Sequence, residues 1–357
     1  MAALSVKKPE IEEEKVSNGV TVIEKKFKNF DILPDVSSDH LYYWGRGGKR
    51  SNCSITPTSV AYKKIMKEWR ILEKDLPDSI YVRAYENQIN LLRAAIVGPA
   101  GTPYHDGLFF FDILFPSDYP FKPPIVTYHS FGLRINPNLY ANGYVCLSLL
   151  STWFSIRKGE GWNPNQSTIF QVLVSIQGMV LNRDPFFNEP GTGFILIPGQ
   201  NKRSITYSEN VFILSCKTMI YLLRRPPNDF DELVRSHFRD RASHILAACN
   251  AYMNGKQRIC DYPAYNDDGS SSSSSSSRPV KKESRQFKEA VVKVYPSLLT
   301  AFTYAGDSVK SFVDEYKREN KERMSAIRVK KVDAETKKKK KMNKGFWNKI
   351  KGLFGLK

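Results

Sequence analysis

Cys146 stands in a sequence context that suits nucleophilic chemistry. The chain runs from Pro103 to Trp153 through a proline-rich wedge (120–124) and an Asn-Pro-Asn turn (136–138). A single cysteine follows, eight residues after Asn138. An isolated cysteine is more often an inert buried thiol. Several motifs in a fixed order and spacing make Cys146 a candidate nucleophile instead.

The segment from Thr58 to Gly193 resembles the core of the ubiquitin-conjugating enzymes. The wedge, the turn, the cysteine, WNP at 162–164 and LNRDPFFNEPG at 181–191 show the resemblance. It implies that Cys146 accepts ubiquitin as a thioester and passes it to a lysine. A free thiol of pKa about 8.5 is sufficient for this, because the activating enzyme delivers an activated thioester.

The resemblance also implies roles for residues around the nucleophile. Asn138 matches the family asparagine, which stabilises an oxyanion or supports the loop. Asn136 stands where most members have histidine, but asparagine also donates and accepts hydrogen bonds, so we expect the turn to survive. Asn188 and Glu189 stand where the family has a gate that orients or deprotonates the incoming lysine.

A partner-binding surface follows from the same resemblance. Phe121, in the proline wedge, corresponds to a contact for ligases and for the activating enzyme. Trp162 and Pro164 belong to a loop on that surface. The implied partners are therefore ubiquitin, the activating enzyme, substrate proteins and a possible ligase. No metal or nucleotide is implied at the site, because the activating enzyme uses the ATP one step earlier.

Two stretches resemble a subgroup. NPNLYANGYVCLSLLSTW (136–153) and QVLVSIQGMVLNRDPFFNEPG (171–191) are most similar to large hybrid enzymes with conjugating and ligase activity, in particular a plant phosphate-homeostasis branch. A weaker resemblance ends at Phe238. Intrinsic ligase character is therefore an open expectation.

Three other functions stay open at this stage. The domain could be a non-catalytic ubiquitin-binding adaptor, but such variants typically lack the cysteine. It could carry a different ubiquitin-like modifier, which the sequence does not distinguish. Nucleic-acid binding is disfavoured, because the basic residues are not interleaved with a folded reader motif.

Composition places the chain in a reducing compartment. Its 357 residues include 41% hydrophobic residues, yet no run of 18 apolar residues and no secretory signal occur. Five cysteines without a CxxC pair disfavour zinc and a disulfide framework. We expect Cys216 and Cys249 to lie in the core of helices. The predicted location is intracellular, in the cytoplasm, the nucleus or both.

The pattern of elements predicts an α+β fold. A helix capped by Thr58 or Ser59 should bury one face, formed by Ala61, Ile65, Trp69 and Leu72. Four strands should form an antiparallel meander: Ile80–Tyr85, Leu91–Val97, Leu108–Phe115 and Ile125–Tyr128. Three helices should follow, at Ser167–Leu181, about Glu209–Arg224 and about Phe230–Met253.

The predicted organisation has six parts. They are an N-terminal extension (1–57), the conjugating core (58–225), a helical extension (226–263), a Ser-rich linker (264–284), a helical segment (285–320) and a basic tail (321–357). The N- and C-terminal extensions are expected to be flexible. Within the first part, Phe30–Gly45 either docks on the core or is disordered.

The basic tail has a charge and hydrophobicity pattern that indicates a function separate from that of the core. Residues 321–357 contain 14 Lys/Arg and 3 Asp/Glu, so +11 of the net charge of +18 lies there. Its basic run is Lys337, Lys338, Lys339, Lys340 and Lys341. An apolar helical face follows, formed by Phe346, Trp347, Ile350, Leu353 and Phe354. This pattern favours an interfacial helix on an anionic membrane. A nuclear-import signal and a solvated charge run are the alternatives.

Overall fold

A computed structural model gives the fold of the chain. It describes residues 27–43, 55–153, 161–189, 192, 200–265, 284–306, 309–322 and 325. The predicted Ser-rich linker at 266–283 and the predicted tail helix with the lysine run, at 337–357, lie outside the described residues. The domain boundaries stay predictions.

The first helix, α1 (Val60–Asp75), begins where the sequence predicts. The hydroxyl of Ser59 accepts a hydrogen bond from the backbone N–H of Tyr62, 3.1 Å away, which caps the helix. Ala61, Ile65, Trp69 and Leu72 are buried, as the helical periodicity indicates. The helix therefore covers one face of the sheet.

The sheet has five strands in sequential order. They are β1 (Phe30–Leu33), β2 (Ile80–Tyr85), β3 (Leu91–Val97), β4 (Leu108–Leu114) and β5 (Ile125–Tyr128). Strands β2 to β5 pair antiparallel, which confirms the predicted meander and the α+β class. Strand β1 pairs parallel with β2, with Phe30 opposite Val82, and the prediction of four strands missed it.

The N-terminal segment docks on the core through β1 and the residues that follow. The side chain of Asn29 donates to the carbonyls of Pro77 and Ile80, and the backbone N–H of Leu41 donates to Asp112. These bonds join residues about 50 to 70 positions apart. They confirm the docking alternative for residues 27–43.

After Cys146 the chain forms α2 (Ile169–Ser175), which continues as one π-helical turn over Ile176–Val180. Thr168 and Gln171 form a capping box at its start. The predicted stripe is buried: Ile169, Val172, Leu173, Ile176 and Val180. The helix and its turn bring the segment that follows Val180 against the Asn-Pro-Asn turn.

Three further helices are α3 (Gln200–Arg224), α4 (Asp231–Met253) and α5 (Arg285–Ala305). Helix α3 begins at Gln200, so the predicted start near Glu209 is wrong. Its early turns pack through buried Ser204, Ser208 and Glu209 rather than through apolar residues. The hydrophobic periodicity is absent there for that reason.

The sheet is covered on both faces. One buried cluster joins α1 and α2 to the sheet through residues such as Leu72, Phe109 and Leu173. A second cluster joins the opposite sheet face, including Phe110, to α3, α4 and α5. Cys216 and Cys249 lie fully buried in this second cluster, as predicted. None of the described helices is long and apolar enough to cross a membrane.

Candidate active site

Cys146 lies just after a short backbone bridge between Leu139 and Val145. Its backbone N–H donates to the carbonyl of Asn138 at 2.9 Å, which ties the cysteine to the turn. The residue is 7% exposed, and its Sγ donates to the carbonyl of Thr152 at 2.9 Å. Burial raises the pKa of the thiol, and the negative charge of Glu189 raises it further. In this state Cys146 is therefore a protonated and largely buried thiol.

Thr152 fixes the backbone on both sides of the nucleophile. Its hydroxyl donates to the carbonyl of Val145 at 2.9 Å and accepts from the N–H of Leu147 at 2.9 Å. Ser151 adopts a left-handed conformation (φ 54°), which ends the short 3-10 helix Ser148–Leu150 before Thr152. Sequence reasoning missed Thr152, since no residue pattern marks a hydroxyl that bonds only to backbone.

The Asn-Pro-Asn turn is held by the side chain of Asn136. Its Oδ1 accepts from the N–H of Asn138 at 2.8 Å. Its Nδ2 donates to the hydroxyl of Tyr104 at 2.8 Å and to the carbonyl of Val180 at 2.7 Å. Asparagine thus provides a donor and an acceptor at once, and the turn forms as expected without histidine.

Asn138 faces the loop of the nucleophile. Its side chain is buried, and Nδ2 donates to the carbonyl of Cys146 at 2.7 Å. Among the described residues its Oδ1 has no hydrogen-bond partner. In this state the amide supports the loop. The Nδ2 group of Asn138 thus lies beside the backbone of Cys146, the residue that would bear the acyl group.

The two gate candidates have different surroundings. Asn188 ends a 3-10 helix (Pro185–Asn188), and its amide is engaged on both sides. Its Oδ1 accepts from Asn182 at 2.7 Å, and its Nδ2 donates to the carbonyl of Val180 at 3.1 Å. The carboxylate of Glu189 is 51% exposed, and its charge acts on Cys146. Of the two gate candidates, Glu189 is the one that carries a charge and is accessible to solvent.

Arg134 links Glu189 to the turn. Its Nη2 donates to the carbonyl of Pro137 at 3.2 Å and lies 3.5 Å from Oε2 of Glu189. The guanidinium also lies over the ring of Tyr140, 4.5 Å from its centroid. Arg134 and Glu189 are 55 positions apart, so sequence reasoning did not pair them.

The predicted partner surface lies beside the wedge. Phe121 is 70% exposed, although it is a large apolar side chain. The Nε1 of half-buried Trp162 donates to the carbonyl of Pro120 at 2.6 Å, and its ring lies 5.8 Å from that of Tyr119. Pro164 is half-buried in the same loop. Trp162 thus supports the wedge that displays Phe121.

Among the described residues, the other cysteines and the histidines form no second site of this kind. Cys260 is buried, and burial raises the pKa of its thiol to about 12. Cys53 lies outside the described residues. Within the described ranges no three His, Cys, Asp or Glu side chains are grouped as metal ligands would be.

The sequence of this chain is similar to those of known proteins. The family described as "Ubiquitin-conjugating enzyme" matches residues 64–193. The chain is 46% identical over 276 residues to "Putative ubiquitin-conjugating enzyme E2 38" of Arabidopsis thaliana. That match covers 77% of this chain and 82% of the relative.

Two longer relatives are similar over only part of their length. "Probable ubiquitin-conjugating enzyme E2 25" of Arabidopsis thaliana is 56% identical over 230 residues, which cover 64% of this chain and 37% of that protein. "Dual E2 ubiquitin-conjugating enzyme/E3 ubiquitin-protein ligase BIRC6" of Homo sapiens is 31% identical over 290 residues, which cover 77% of this chain and 6% of that protein. The chain thus spans well under half the length of several relatives that it matches.

Proposed function

Because this chain belongs to the ubiquitin-conjugating enzyme family, we propose that it accepts ubiquitin as a thioester on Cys146 and transfers it to substrate lysines. The observation that supports this most is the site around Cys146. The thiol of Cys146 lies beside an asparagine turn on one side and an exposed carboxylate on the other. The proposed cycle needs no metal or nucleotide in this chain, because ATP is consumed earlier by the activating enzyme.

The first step is a thioester exchange. The thiol of Cys146 loses its proton, and the thiolate attacks the carbonyl of the ubiquitin thioester on the activating enzyme. The sulfur of the activating enzyme leaves as a thiolate and takes up a proton from solvent. A raised pKa of Cys146 is compatible with this step, since the exchange needs only a small thiolate fraction and an activated acyl group.

The second step transfers the acyl group to nitrogen. A neutral lysine amine attacks the thioester carbonyl, and the negative charge moves to the oxygen. Cys146 then leaves as a thiolate, and the nitrogen loses a proton. We assign stabilisation of the oxygen charge to the amide of Asn138, whose donor already lies at the cysteine backbone.

Glu189 is the better candidate for orienting the lysine. The amide of Asn188 is occupied by Asn182 and Val180, so its role is to hold the turn. The carboxylate of Glu189 can attract the ammonium form of lysine and accept its proton. Glu189→Gln should slow discharge to free lysine and leave thioester formation intact. Equal discharge rates for this variant and the wild type would remove Glu189 from the step.

The exposed ring of Phe121 is the proposed contact for the activating enzyme and for a ligase. An exposed aromatic ring on a rigid wedge is typical of an interface anchor. The hydrogen bond from Trp162 to Pro120 keeps the wedge in place.

A thioester assay tests the proposal. The protein is incubated with activating enzyme, ATP and ubiquitin, and the products are separated on a non-reducing gel. We expect a band that gains one ubiquitin and collapses on adding thiol. Cys146→Ser should give a thiol-resistant oxyester, and Cys53→Ser is the matched control that should charge normally.

Failure to charge, while another conjugating enzyme charges in the same mixture, would contradict the proposal. Charging with a different modifier, and not with ubiquitin, would replace ubiquitin as the cargo. Either outcome would favour the adaptor or other-modifier alternatives over ubiquitin conjugation.

For the basic tail we propose a contact with an anionic membrane surface. Lysines at 337–341 precede a predicted apolar helical face that includes Trp347 and Phe354, and each lysine near an anionic surface contributes on the order of 1 kcal/mol. The proposed location is the cytoplasm, the nucleus or both, because the thiol of Cys146 needs a reducing compartment. Sedimentation with phosphatidylserine vesicles tests the contact. Equal pelleting of the full chain and a variant lacking 337–357 would leave nuclear import as the better role for the tail.

A further inference from the structure

Helices α3 and α5 lie side by side and leave a groove between them. The α3 side carries Ile213, Lys217, Ile220, Tyr221 and Arg224, spaced so that all lie on one face. The α5 side carries a matching stripe that runs from Ala290 through Val294 and Ser297 to Tyr304. Among the described residues, no further element packs into the space between these two faces.

The groove is about three to four helical turns long. It consists of two adjoining depressions of about 430 Å³ each, which share Arg224 and Ser297. From Ile213 to Arg224 the rise of a helix spans about 17 Å, and from Ala290 to Tyr304 it spans about 21 Å. That length fits a helix of roughly 11 to 14 residues.

The groove has an apolar floor with exposed aromatic rings. Ile213, Ile220 and Val294 form the floor and are less than 10% exposed. Tyr221 is 40% exposed and stacks on Phe131 at 5.5 Å, and Tyr304 is 85% exposed. Exposed tyrosines beside an apolar floor are typical of binding surfaces.

The charges along the groove all have one sign. Lys217, Arg224 and Lys293 line it and are exposed, and no acidic residue lines either depression. Within the part of the chain that the structure describes, none of the three cations forms an ion pair. A partner with apolar and acidic residues would therefore complement this surface, whereas the basic tail of the chain would be repelled.

We propose that this groove binds an acidic amphipathic helix of a substrate protein and so selects the substrate. The proposal rests on the proposed conjugating function. A groove between two helices offers side chains only, because the helix backbones are already hydrogen-bonded. An extended peptide would find no backbone partners there, while an amphipathic helix can insert an apolar stripe.

The position of the groove relative to the nucleophile supports this role. Leu133 lines the groove, and Arg134 next to it contacts the Asn-Pro-Asn turn and Glu189. Leu133 lies five positions before Asn138, so their Cα atoms are at most about 18 Å apart. The carbonyl of Asn138 accepts a hydrogen bond from the N–H of Cys146, so this end of the groove lies close to the loop of the cysteine. A docked helix would hold nearby lysines at high effective concentration around the thioester.

The experiment compares transfer to three tagged acceptors. Each acceptor is the same small domain with one flexible lysine-bearing tail, fused to a 14-residue helical tag. The first tag has leucines on one face and glutamates elsewhere, the second has arginines in place of glutamates, and the third scrambles the first. The full-length protein is charged with ubiquitin, and its thioester level and discharge to free lysine are measured in the same samples.

We expect the acidic tag to raise transfer about tenfold or more over the other two tags, with a steep loss at high salt. The double variant Lys217→Glu/Lys293→Glu should lose this preference and favour the arginine tag. The matched control, Lys202→Glu/Lys310→Glu, changes net charge equally on exposed helical residues outside the groove and should behave like wild type. Charging and free-lysine discharge should be the same in all three proteins.

Equal transfer to all three tags by a protein that charges normally would overturn the groove proposal and leave the conjugating function intact. A protein that never charges would instead contradict the proposed function. A further outcome would show that the acidic run Glu10–Glu14 of this same chain occupies the groove. If the preference appears only after neutralising that run with glutamines, the groove binds its own chain, and the substrate proposal is wrong.

Discussion

At Cys146, burial and the carboxylate of Glu189 both favour the neutral thiol, so the pKa lies above its ordinary value. The hydrogen bond from Sγ to the carbonyl of Thr152 has the same effect, because it requires the proton. Among the described residues no cation opposes this rise in the pKa of the thiol. The site is therefore suited to exchange with an activated thioester and unsuited to attack on an unactivated amide.

Glu189→Gln should lower the pKa of Cys146. The negative charge that disfavours the thiolate is removed, so the pH profile of alkylation should move to lower pH. Peptide mass spectrometry after timed iodoacetamide treatment measures the rate at Cys146 alone. Glu86→Gln, at an exposed glutamate after β2, is the control and should leave the profile unchanged. A shift to higher pH would contradict the assigned sign.

Thr152→Val should weaken the loop around the nucleophile. Valine matches the shape of threonine but leaves the N–H of Leu147 and the carbonyl of Val145 without the hydroxyl. The loss should be about 1–3 kcal/mol in the free energy of unfolding, measured by urea denaturation. Ubiquitin charging should slow at least about tenfold, because the sulfur loses its fixed position.

Thr152→Ser is the control, since it keeps the hydroxyl. It should remain within about 0.5 kcal/mol of wild type and charge at a similar rate. If valine and serine behave alike, the hydroxyl has no part in positioning Cys146.

Sequence reasoning found the residues that local patterns mark. The family resemblance marked Cys146, the turn at 136–138 and Phe121 as candidate site residues. Thr152, Arg134 and strand β1 were missed for a common reason. Each of the three acts through a partner that is distant in the chain or through backbone atoms. Such interactions leave no local pattern in the sequence. The choice between Asn188 and Glu189 likewise needed tertiary contacts, since only these show that the Asn188 amide is occupied.

At the scale of elements, the N-terminal segment is joined to the sheet by a partly buried ionic network. Arg93 is fully buried and donates to Asp112 at 2.6 Å and to Asp39 at 2.9 Å. Burial opposes ionisation of Asp112, but hydrogen bonds from His129 and Arg93 outweigh it and hold its pKa well below the usual range. Burial likewise opposes ionisation of Asp39, and the charge of Arg93 outweighs it, so the pKa of Asp39 is also lowered.

These carboxylates make the docking of the segment sensitive to acid. Their pKa values are lower in the folded state, so their stabilisation is present above the unfolded value near 3.9. It is lost as pH falls through that value toward the folded one. The free energy of unfolding should therefore decrease below about pH 5.

Arg93→Met should destabilise the protein by about 3–5 kcal/mol at neutral pH, because it leaves Asp112 buried without its main cation. The loss of stability between about pH 5 and 3 should also be smaller than in the wild type, since the folded-state pKa values of both carboxylates then lie closer to those of the unfolded chain. Urea titrations from pH 3 to 8 measure both effects. The control Lys28→Met breaks an exposed pair with Asp31 at 3.4 Å and should change stability by no more than about 1 kcal/mol.

At the scale of the whole molecule, the helices after the core are part of the packing of the sheet. Phe110 points away from α1 and contacts Phe230 at 5.2 Å in an edge-to-face geometry. Leu246 of α4 and Val291 of α5 are fully buried in the same cluster. The sheet thus has two apolar faces that depend on helices from both sides.

Leu246→Ala should destabilise both layers together. The loss should be about 2–5 kcal/mol, from lost burial and a residual cavity. If the layers unfold as one unit, hydrogen exchange at the amides of β3 should accelerate as much as at those of α5. The control Tyr304→Ala, at an exposed ring, should stay within about 0.5 kcal/mol of wild type. Unchanged protection in β3 would show that the helices unfold separately.

The hydrogen bond between Cys146 and the carbonyl of Thr152 also bears on survival under oxidative stress. Peroxides and electrophilic toxins react with thiolates, and sensor cysteines have a low pKa and open access. The resting Cys146 has the opposite properties, since its proton is retained and its sulfur is largely covered. The uncharged protein can therefore persist through an oxidant burst with its sulfur in the reduced form, ready for the next ubiquitin.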